Sequence, residues 1–286
     1  MRRKKWFVAL LCAVVGITAA ACGGNGDNSS TKEVENTQEQ TQQSERETEE
    51  GKAEEVELHI LAAASMTDVL TEIADKYEEE HPEITLTFSF DSSGTLQTQI
   101  EEGAPADVFI SAALKQMNEL NEQGLMDEDS IIELLENKVV LIKSKGSELD
   151  IASFEDVASD KVTMAAIGNS DVPVGQYTQT IYENLGLWDQ IQEKANYATN
   201  VRQVLDWVAT KNADCGIVYA TDAAIEPEVE IISEAPEGSC TPAIYPAGIV
   251  KDSEYPEQAK EFMDFLKTDE VKEIFENYQF TYIYSE

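Results

Sequence analysis

From residue 57 onward, the chain alternates short apolar runs with longer segments whose apolar residues recur at helical spacing. Residues 84–90 alternate apolar and polar positions, as in a strand with one buried face. Strands are predicted at 58–61, 84–90, 107–111, 139–142, 161–167, 215–219, 228–232 and 243–250. Helices are predicted at 67–80, 96–102, 114–123, 175–185, 201–210, 256–267 and 269–278. This alternation predicts an α/β fold of mixed, mostly parallel sheets with helices on both faces.

The order of these elements divides the folded part of the chain into two blocks. We expect lobe 1 at 57–141 and 240–286 and lobe 2 at 142–239, because the last stretch holds too few elements for a lobe of its own. Ligands of open α/β sheets bind beyond the carboxyl ends of the strands, so a ligand cleft is expected between the lobes. Hinge strands near 139–142 and 243–250 would let this cleft close.

The first residues have the pattern of an export signal. Residues 1–21 combine basic residues at 2–5, an apolar stretch at 6–17 and three alanines before the cleavage point. That stretch is shorter than the roughly 20 apolar residues of a membrane-spanning helix. Cys22 and the small residues before it resemble the lipobox of bacterial lipoproteins, which implies a lipid anchor on the extracytoplasmic side of the cell membrane. The alternative is ordinary secretion with a free cysteine.

Between this cysteine and the folded part lies a polar segment. Residues 22–56 contain no aromatic residue and predict a disordered acidic tether. The whole chain has a formal net charge of -36, of which -33 falls on residues 57–286. This charge argues against nucleic acid and against an anionic membrane surface as partners.

Candidate catalytic residues are scarce. The chain has two histidines, His59 and His81, and contains no nucleophile elbow, phosphate-binding loop or dinucleotide fingerprint. We therefore expect a binding protein without a cofactor rather than an enzyme. Cys215 and Cys240 match no zinc pattern, and the sequence leaves open whether they form a disulfide or remain two thiols.

Two short turns, at 62–67 and 91–95, each leave an apolar run and open a helical pattern. Ser65 lies in the first turn, and Ser92 and Ser93 lie in the second. Small hydroxyl residues at such junctions cap helices, and Ser65 to Asp68 fit a capping box. The same residues and the free N–H groups of a helix start can also bind an anion. Two similar turns at one edge of one predicted sheet favour the anion.

Several segments resemble the molybdate-binding proteins of ABC transporters, which also bind tungstate. The clearest are AAASMTDVL at 62–70, SFDSSGTLQTQIEEGAPADVFISA at 89–112, DVPVGQY at 171–177, NVRQVLDWV at 200–208, GIVYATDA at 216–223 and EIFENYQF at 273–280. The resemblance covers nearly all of residues 57–284. It implies a two-lobed fold of the type II periplasmic-binding-protein kind and a monomer that delivers its ligand to an ABC permease.

The resemblance also implies a set of ligand-binding residues. Hydroxyl donors fall on Ser65, Ser93 and Tyr219, and backbone N–H donors fall on Val174 and Val201. Molybdenum or tungsten would be held by these five residues as the oxyanion and not as a bare metal ion. Tyr219 could instead be a core aromatic residue, and the two valines ordinary first-turn residues. Another solute, such as sulfate, phosphate or a metal cation, is the alternative within this class, and an enzyme is the less favoured one.

Charged residues near these positions bear on the same hypothesis. Asp91 and Asp171 stand beside two of the proposed cradles, where a carboxylate facing an oxyanion would oppose binding. The cradle requires both side chains to turn away. Arg202 directly follows a proposed backbone donor, and we expect it to form a structural salt bridge with a nearby acid rather than to pair with the ligand.

Overall fold

The structure of the protein is a computed structural model that describes residues 55–285. The predicted signal peptide at 1–21, Cys22 with its predicted lipidation and almost all of the predicted tether at 22–56 lie outside these residues. Val56, the last residue of the predicted tether, is already the first residue of the first strand. No helix within 55–285 has both the length and the apolar character to cross a membrane.

The described residues form eleven strands and nine α-helices. The strands are β1 (Val56–Ala63), β2 (Ile84–Asp91), β3 (Val108–Ile110), β4 (Ile132–Asn137), β5 (Val139–Ser144), β6 (Ala165–Gly168), β7 (Ala195–Ala198), β8 (Cys215–Tyr219), β9 (Val229–Glu234), β10 (Ala243–Ile249) and β11 (Thr281–Tyr282). The helices are α1 (Thr67–Glu80), α2 (Ser93–Glu101), α3 (Leu114–Glu122), α4 (Pro173–Asn184), α5 (Trp188–Gln192), α6 (Val201–Ala209), α7 (Ala220–Ile225), α8 (Pro256–Phe265) and α9 (Asp269–Asn277). The sequence predicted eight of these strands and seven of these helices.

These strands form two mixed sheets. One has six strands in the order β11-β4-β10-β3-β1-β2, and the other has five in the order β7-β6-β8-β5-β9. In the six-stranded sheet, β1 pairs in parallel with β2 and β3. In the five-stranded sheet, β6 pairs in parallel with β7 and β8. Antiparallel ladders are formed by β4, β5 and β10, the strands beside the points where the chain crosses from one sheet to the other. The predicted α/β class with helices on both faces is confirmed, although antiparallel pairing has a larger share than predicted.

The chain passes from one sheet to the other twice. The first passage is at Lys138, between β4 and β5, so all of Val139–Ser144 belongs to the five-stranded sheet. The second lies between β9 and β10, and it returns the chain to the six-stranded sheet. There β10 pairs with β3 and β4, and α9 contacts α1.

The core follows from the periodicity of the sequence. The apolar stripe of α1 turns toward the six-stranded sheet, and its predicted members are all buried, namely Val69, Leu70, Ile73, Ala74 and Tyr77. The central strands β3 and β8 are buried along their whole length, which explains their unbroken apolar runs. The two serine turns lie directly beyond the carboxyl ends of β1 and β2, and Tyr219 ends β8.

Candidate functional site

A small cavity lies beyond the carboxyl ends of β1, β2 and β8. It is lined by residues of both sheets: Ala63, Ala64, Ser65, Asp91, Ser92, Ser93, Ala112, Val172, Pro173, Val174, Val201 and Tyr219. All five predicted ligand-binding residues are among them, although they come from positions 65 to 219 of the chain. The centre of a water-sized molecule can occupy about 10 Å³ there, so the cavity suits a compact ion and not a sugar or a peptide.

Ser65 lies in the turn after β1 and does not cap the following helix. The residue before α1 is Met66, and no side chain caps this helix. The Ser65 hydroxyl instead lies 2.9 Å from the hydroxyl of Tyr245, in a buried contact. The capping interpretation of this serine is therefore wrong, and its side chain is directed to the cavity wall.

In the second serine turn, one serine caps the following helix and its neighbour keeps a hydroxyl proton available to a ligand. Ser92 is the N-cap of α2, and its Oγ accepts a hydrogen bond from the Thr95 N–H at 3.1 Å. Ser93 is fully buried, and its Oγ accepts a hydrogen bond from the Ala112 N–H at 3.0 Å. Among the described residues, no acceptor takes the hydroxyl proton of Ser93. This proton is therefore free for a ligand.

Tyr219 ends β8 and reaches the same wall of the cavity. It is buried, and its hydroxyl donates to the Ala112 carbonyl at 3.3 Å. Burial raises the pKa of Tyr219 well above its ordinary value, so the side chain is a neutral proton donor at physiological pH. Ala112 thus orients both Ser93 and Tyr219 through its backbone. Ala112 ends the motif at 89–112, but its residue type carries no signal of this role, which belongs to its backbone.

The first turns of three helices border the cavity. Val174 is the second residue of α4, Val201 is the first residue of α6, and Ser93 is the first residue of α2. N–H groups at these positions have no carbonyl four residues back within their helix to bind. The helix dipoles add partial positive charge at the same ends. The cavity is therefore a favourable place for an anion even without a basic side chain.

The two aspartates near the cavity differ in their surroundings. Asp171 is exposed; its backbone carbonyl accepts the Gly94 N–H at 2.9 Å, and its carboxylate lies beside the Ser170 hydroxyl. Asp91 lines the cavity, but its Oδ1 accepts hydrogen bonds from the Ser92 N–H at 2.7 Å and from Asn200 Nδ2 at 3.3 Å. Asp171 thus faces solvent, whereas Asp91 stays at the wall with one oxygen engaged.

Arg202 does not line the cavity, although its Nη2 donates to the Ser65 backbone carbonyl at 3.4 Å, and its predicted structural salt bridge is confirmed. Its Nη2 lies 2.6 Å from Asp68 and its Nε lies 2.9 Å from Asp222. The contact with Asp222 is an ion pair without hydrogen-bond alignment, since neither atom has a hydrogen-bond partner. Asp222 is fully buried, and this burial raises its pKa to about 6 against the opposing effect of Arg202.

The other candidate chemistry lies apart from this cavity. Cys215 and Cys240 are both free thiols in this structure, the first buried and the second half-buried. Burial raises the pKa of Cys215 to about 12, which keeps it an unreactive thiol. Within residues 55–285, no group of three or more histidine, cysteine or acidic residues is arranged to hold a metal ion.

A larger cleft lies on the six-stranded sheet, away from the serine turns. It has a volume of about 360 Å³ and is lined in part by His59, Asp107, Asp252 and Glu254. Asp107 is already satisfied there by the His59 N–H and the Ser253 hydroxyl. The acidic lining of this cleft disfavours an anion, so the larger volume of the cleft does not make it the better candidate for an anion site.

Comparisons with known proteins agree with the fold. The chain is 42% identical over 228 residues to the putative ABC transporter substrate-binding lipoprotein YvgL of Bacillus subtilis, covering 79% of this chain and 86% of that protein. It is 37% identical over 226 residues to the molybdate-binding protein ModA of Haemophilus influenzae, covering 78% and 89%. The substrate-binding domain of a putative molybdenum ABC transporter from Clostridium difficile matches with a TM-score of 0.61 and 36% identity, over 80% of this chain and all of that one.

These relatives confirm the resemblance inferred from the sequence motifs. They are binding proteins of transporters and not enzymes, so the expectation of a binding protein is confirmed as well. The family model for bacterial extracellular solute-binding proteins matches residues 58–281, which is nearly the whole described part of the chain. The chain therefore belongs to the family of bacterial extracellular solute-binding proteins.

Proposed function

We propose that the protein captures molybdate or tungstate in this cavity and delivers it to an ABC permease. The observation that carries the proposal is that one small cavity collects Ser65, Ser93, Val174, Val201 and Tyr219. Relatives at 37% and 34% identity are named as molybdate-binding proteins. The metal would enter as its oxyanion and would need no ligand cluster or resident cofactor.

The donor set explains how an acidic protein could hold a dianion. Each N–H group and the Ser65 and Ser93 hydroxyls would donate a charge-assisted hydrogen bond, which is roughly twice as strong as a neutral one. The Tyr219 hydroxyl would turn its one proton from the Ala112 carbonyl to the ligand. No lysine or arginine is among the residues that line the cavity. Because the donors are fixed in position, discrimination would rest on cavity size. The longer metal–oxygen bonds of molybdate and tungstate would reach donors that sulfate leaves too far away.

The division into two sheets supports capture by closure. We propose that each sheet with its helices is a lobe, with hinges at Lys138 and in the passage between β9 and β10. The Gly94 N–H donates to the Asp171 carbonyl, and Asn200 donates to Asp91, so contacts of the closed state join the lobes beside the cavity. Opening would break these contacts and release the anion to the permease.

The cellular setting of this function extends the same proposal. The family is one of extracellular proteins, and YvgL carries the word lipoprotein in its name. We propose that Cys22 is lipidated and holds a monomer at the outer face of the cell membrane through the tether. Mass spectrometry of the protein from membranes would identify a diacylated Cys22, whereas an unmodified cysteine would contradict the anchor.

Ligand-dependent melting tests the proposed function. A ligand at 1,000 times its Kd stabilises a protein by about 4 kcal/mol, so a bound anion gives a clear rise in Tm. We expect molybdate and tungstate to raise the Tm at millimolar concentration, and sulfate and phosphate to have little effect. A rise with sulfate or phosphate and none with molybdate or tungstate would favour the alternative oxyanion and contradict the proposal.

Titration calorimetry then separates binding from general salt effects. The matched control is Ser92→Ala, which removes the helix cap next to Ser93 and leaves the proposed ligand donor in place. We expect Ser93→Ala to lower the affinity for molybdate far more than Ser92→Ala does. Equal losses in the two variants would indicate that the turn matters for the helix and not for a ligand.

A further inference from the structure

We propose that Tyr245 is a positioning residue of the anion site: it fixes the direction in which Ser65 donates its hydroxyl proton. The inference rests on the proposed function, since it concerns how one of the five contacts is made. Tyr245 lies in β10, is fully buried and does not line the cavity. Its hydroxyl is 2.9 Å from Ser65 Oγ, across 180 residues of sequence.

Asn137 sets the direction of the hydrogen bonds. The Lys138 N–H donates to Asn137 Oδ1 at 2.8 Å, so this oxygen faces the backbone and the amide nitrogen faces the other way. Asn137 Nδ2 therefore donates to Thr221 Oγ1 at 2.9 Å and to the Tyr245 hydroxyl at 3.3 Å. Asn137 is buried as the last residue of β4, so this orientation is held by the sheet.

The rest of the relay follows from counting protons. The Tyr245 oxygen accepts from Asn137 Nδ2 at 3.3 Å, and we assign its one proton to Ser65 Oγ at 2.9 Å, the nearest hydroxyl oxygen in the hydrogen-bond network around it. Ser65 then accepts from Tyr245, and its own proton must go elsewhere. Because Ser65 lines the cavity, an anion there is the natural acceptor. Asn137, Tyr245 and Ser65 thus form a one-way chain of donors that ends at the ligand.

Packing holds the tyrosine ring in place for this task. The Tyr245 ring meets the rings of Tyr219 and Phe280 edge to face, with centroids 5.5 Å away in both pairs. Burial raises the pKa of Tyr245 well above its ordinary value, so it remains protonated and able to donate. The two neighbouring tyrosines would therefore serve one anion in different ways, Tyr219 by contact and Tyr245 through Ser65.

A double-mutant cycle with Ser65 tests this role. Tyr245→Phe keeps the ring and removes the hydroxyl, and we expect the Kd for molybdate to rise about tenfold, as for a weakened charge-assisted hydrogen bond. In a Ser65→Ala background, the same change should alter the Kd by less than about twofold, because the group that Tyr245 orients is already gone. A residue that only stabilises the fold would not show this dependence on Ser65.

Two further variants make the test decisive. Tyr77→Phe removes another buried tyrosine hydroxyl, one without a hydrogen-bond partner in the described structure, and should leave the Kd unchanged. Asn137→Ala removes the donor to Tyr245, and it should raise the Kd for molybdate in the wild type and not in the Ser65→Ala background. This variant replaces Tyr245→Phe in the cycle if Tyr245→Phe does not fold. Full additivity with Ser65→Ala would overturn the inference while leaving the proposed function intact. Failure of the wild type to bind molybdate and tungstate would overturn both.

Discussion

Gly94→Ala tests whether the closed arrangement seen here is the one that binds the anion. Gly94 is the second residue of α2, and its N–H donates to the Asp171 carbonyl on the other side of the cavity at 2.9 Å. A methyl group built on Gly94 would lie 2.5 Å from the Asp171 carbonyl oxygen and 2.9 Å from its Cα. Both are backbone atoms, so no side chain can rotate away to make room.

The size of the effect follows from these distances. Ordinary contact begins at 3.4 Å, so the two segments must separate by about 0.9 Å. Overpacking of this kind costs about 1–3 kcal/mol, and loss of the hydrogen bond costs about 1 kcal/mol more. If the anion is bound only in the closed state, the Kd rises by about 30- to 1,000-fold, at 1.4 kcal/mol for each factor of ten.

The assay compares affinity and stability in the same variant. Titration calorimetry with molybdate measures the Kd, and thermal melting without ligand measures the stability of the free protein. Alanine is favoured over glycine within a helix by about 0.5–1 kcal/mol, so the free, open protein should melt no lower than the wild type. Thr98→Ala is the matched control, because Thr98 lies in the same helix on its exposed side.

Two results would refute this reasoning. A Gly94→Ala variant that binds molybdate within threefold of the wild type would mean that binding does not require the contact with Asp171. A sharp fall in the Tm of the free variant with unchanged affinity would mean that the contact belongs to the resting fold and not to ligand capture.

The remaining predictions concern the donors and the charges around the site. Ser93→Ala and Tyr219→Phe should each weaken molybdate binding by about ten- to a hundredfold in calorimetry, because each removes a charge-assisted hydrogen bond; unchanged affinity would contradict the assigned contacts. Burial raises the pKa of Asp222 from 3.8 to about 6, so the ionised carboxylate lowers the free energy of unfolding above pH 6. The loss of stability is about 3 kcal/mol, and it disappears as the pH falls from 6 to 4 and Asp222 is protonated. In denaturant unfolding, Asp222→Asn should therefore gain stability over the wild type at pH 7.5 and match it near pH 4, and a difference independent of pH would contradict the shift. Asp91→Asn removes the one charge at the cavity wall and should tighten binding on the order of tenfold at low salt, whereas exposed Asp171→Asn should change it little; equal effects would show that only net charge matters.

The serine turns predicted the candidate site from the sequence, whereas the buried residues that contact and support these turns were missed. Ser93 and Tyr219 stand in local motifs, so their type and spacing were sufficient to propose them as candidates. The contacts that Tyr245 makes with Ser65 and with Asn137 join residues 180 and 108 positions apart, and no local pattern marks a buried hydroxyl whose partner is so distant. Ala112 acts through its backbone, which every residue type carries.

The fold shows the same division between local and distant causes. Strong periodicity located α1 and α9 to within a residue of their ends, because one stripe of each helix is buried over several turns. The short β11 was missed, since its two residues are fixed by pairing with β4 and by little in their own composition. The strand β4 was missed as well, and with it the passage between sheets at Lys138.

The cavity has no basic side chain in its wall, and the surrounding body carries a formal net charge of -33. These two facts affect the association rate and the dissociation rate of the anion separately. The long-range field repels a dianion and slows its association, and dissolved salt screens that field within about 10 Å at 0.1 M. The fixed donors act at contact distance and govern how slowly the anion leaves. Moderate ionic strength therefore speeds loading of this protein and leaves its residence time nearly unchanged.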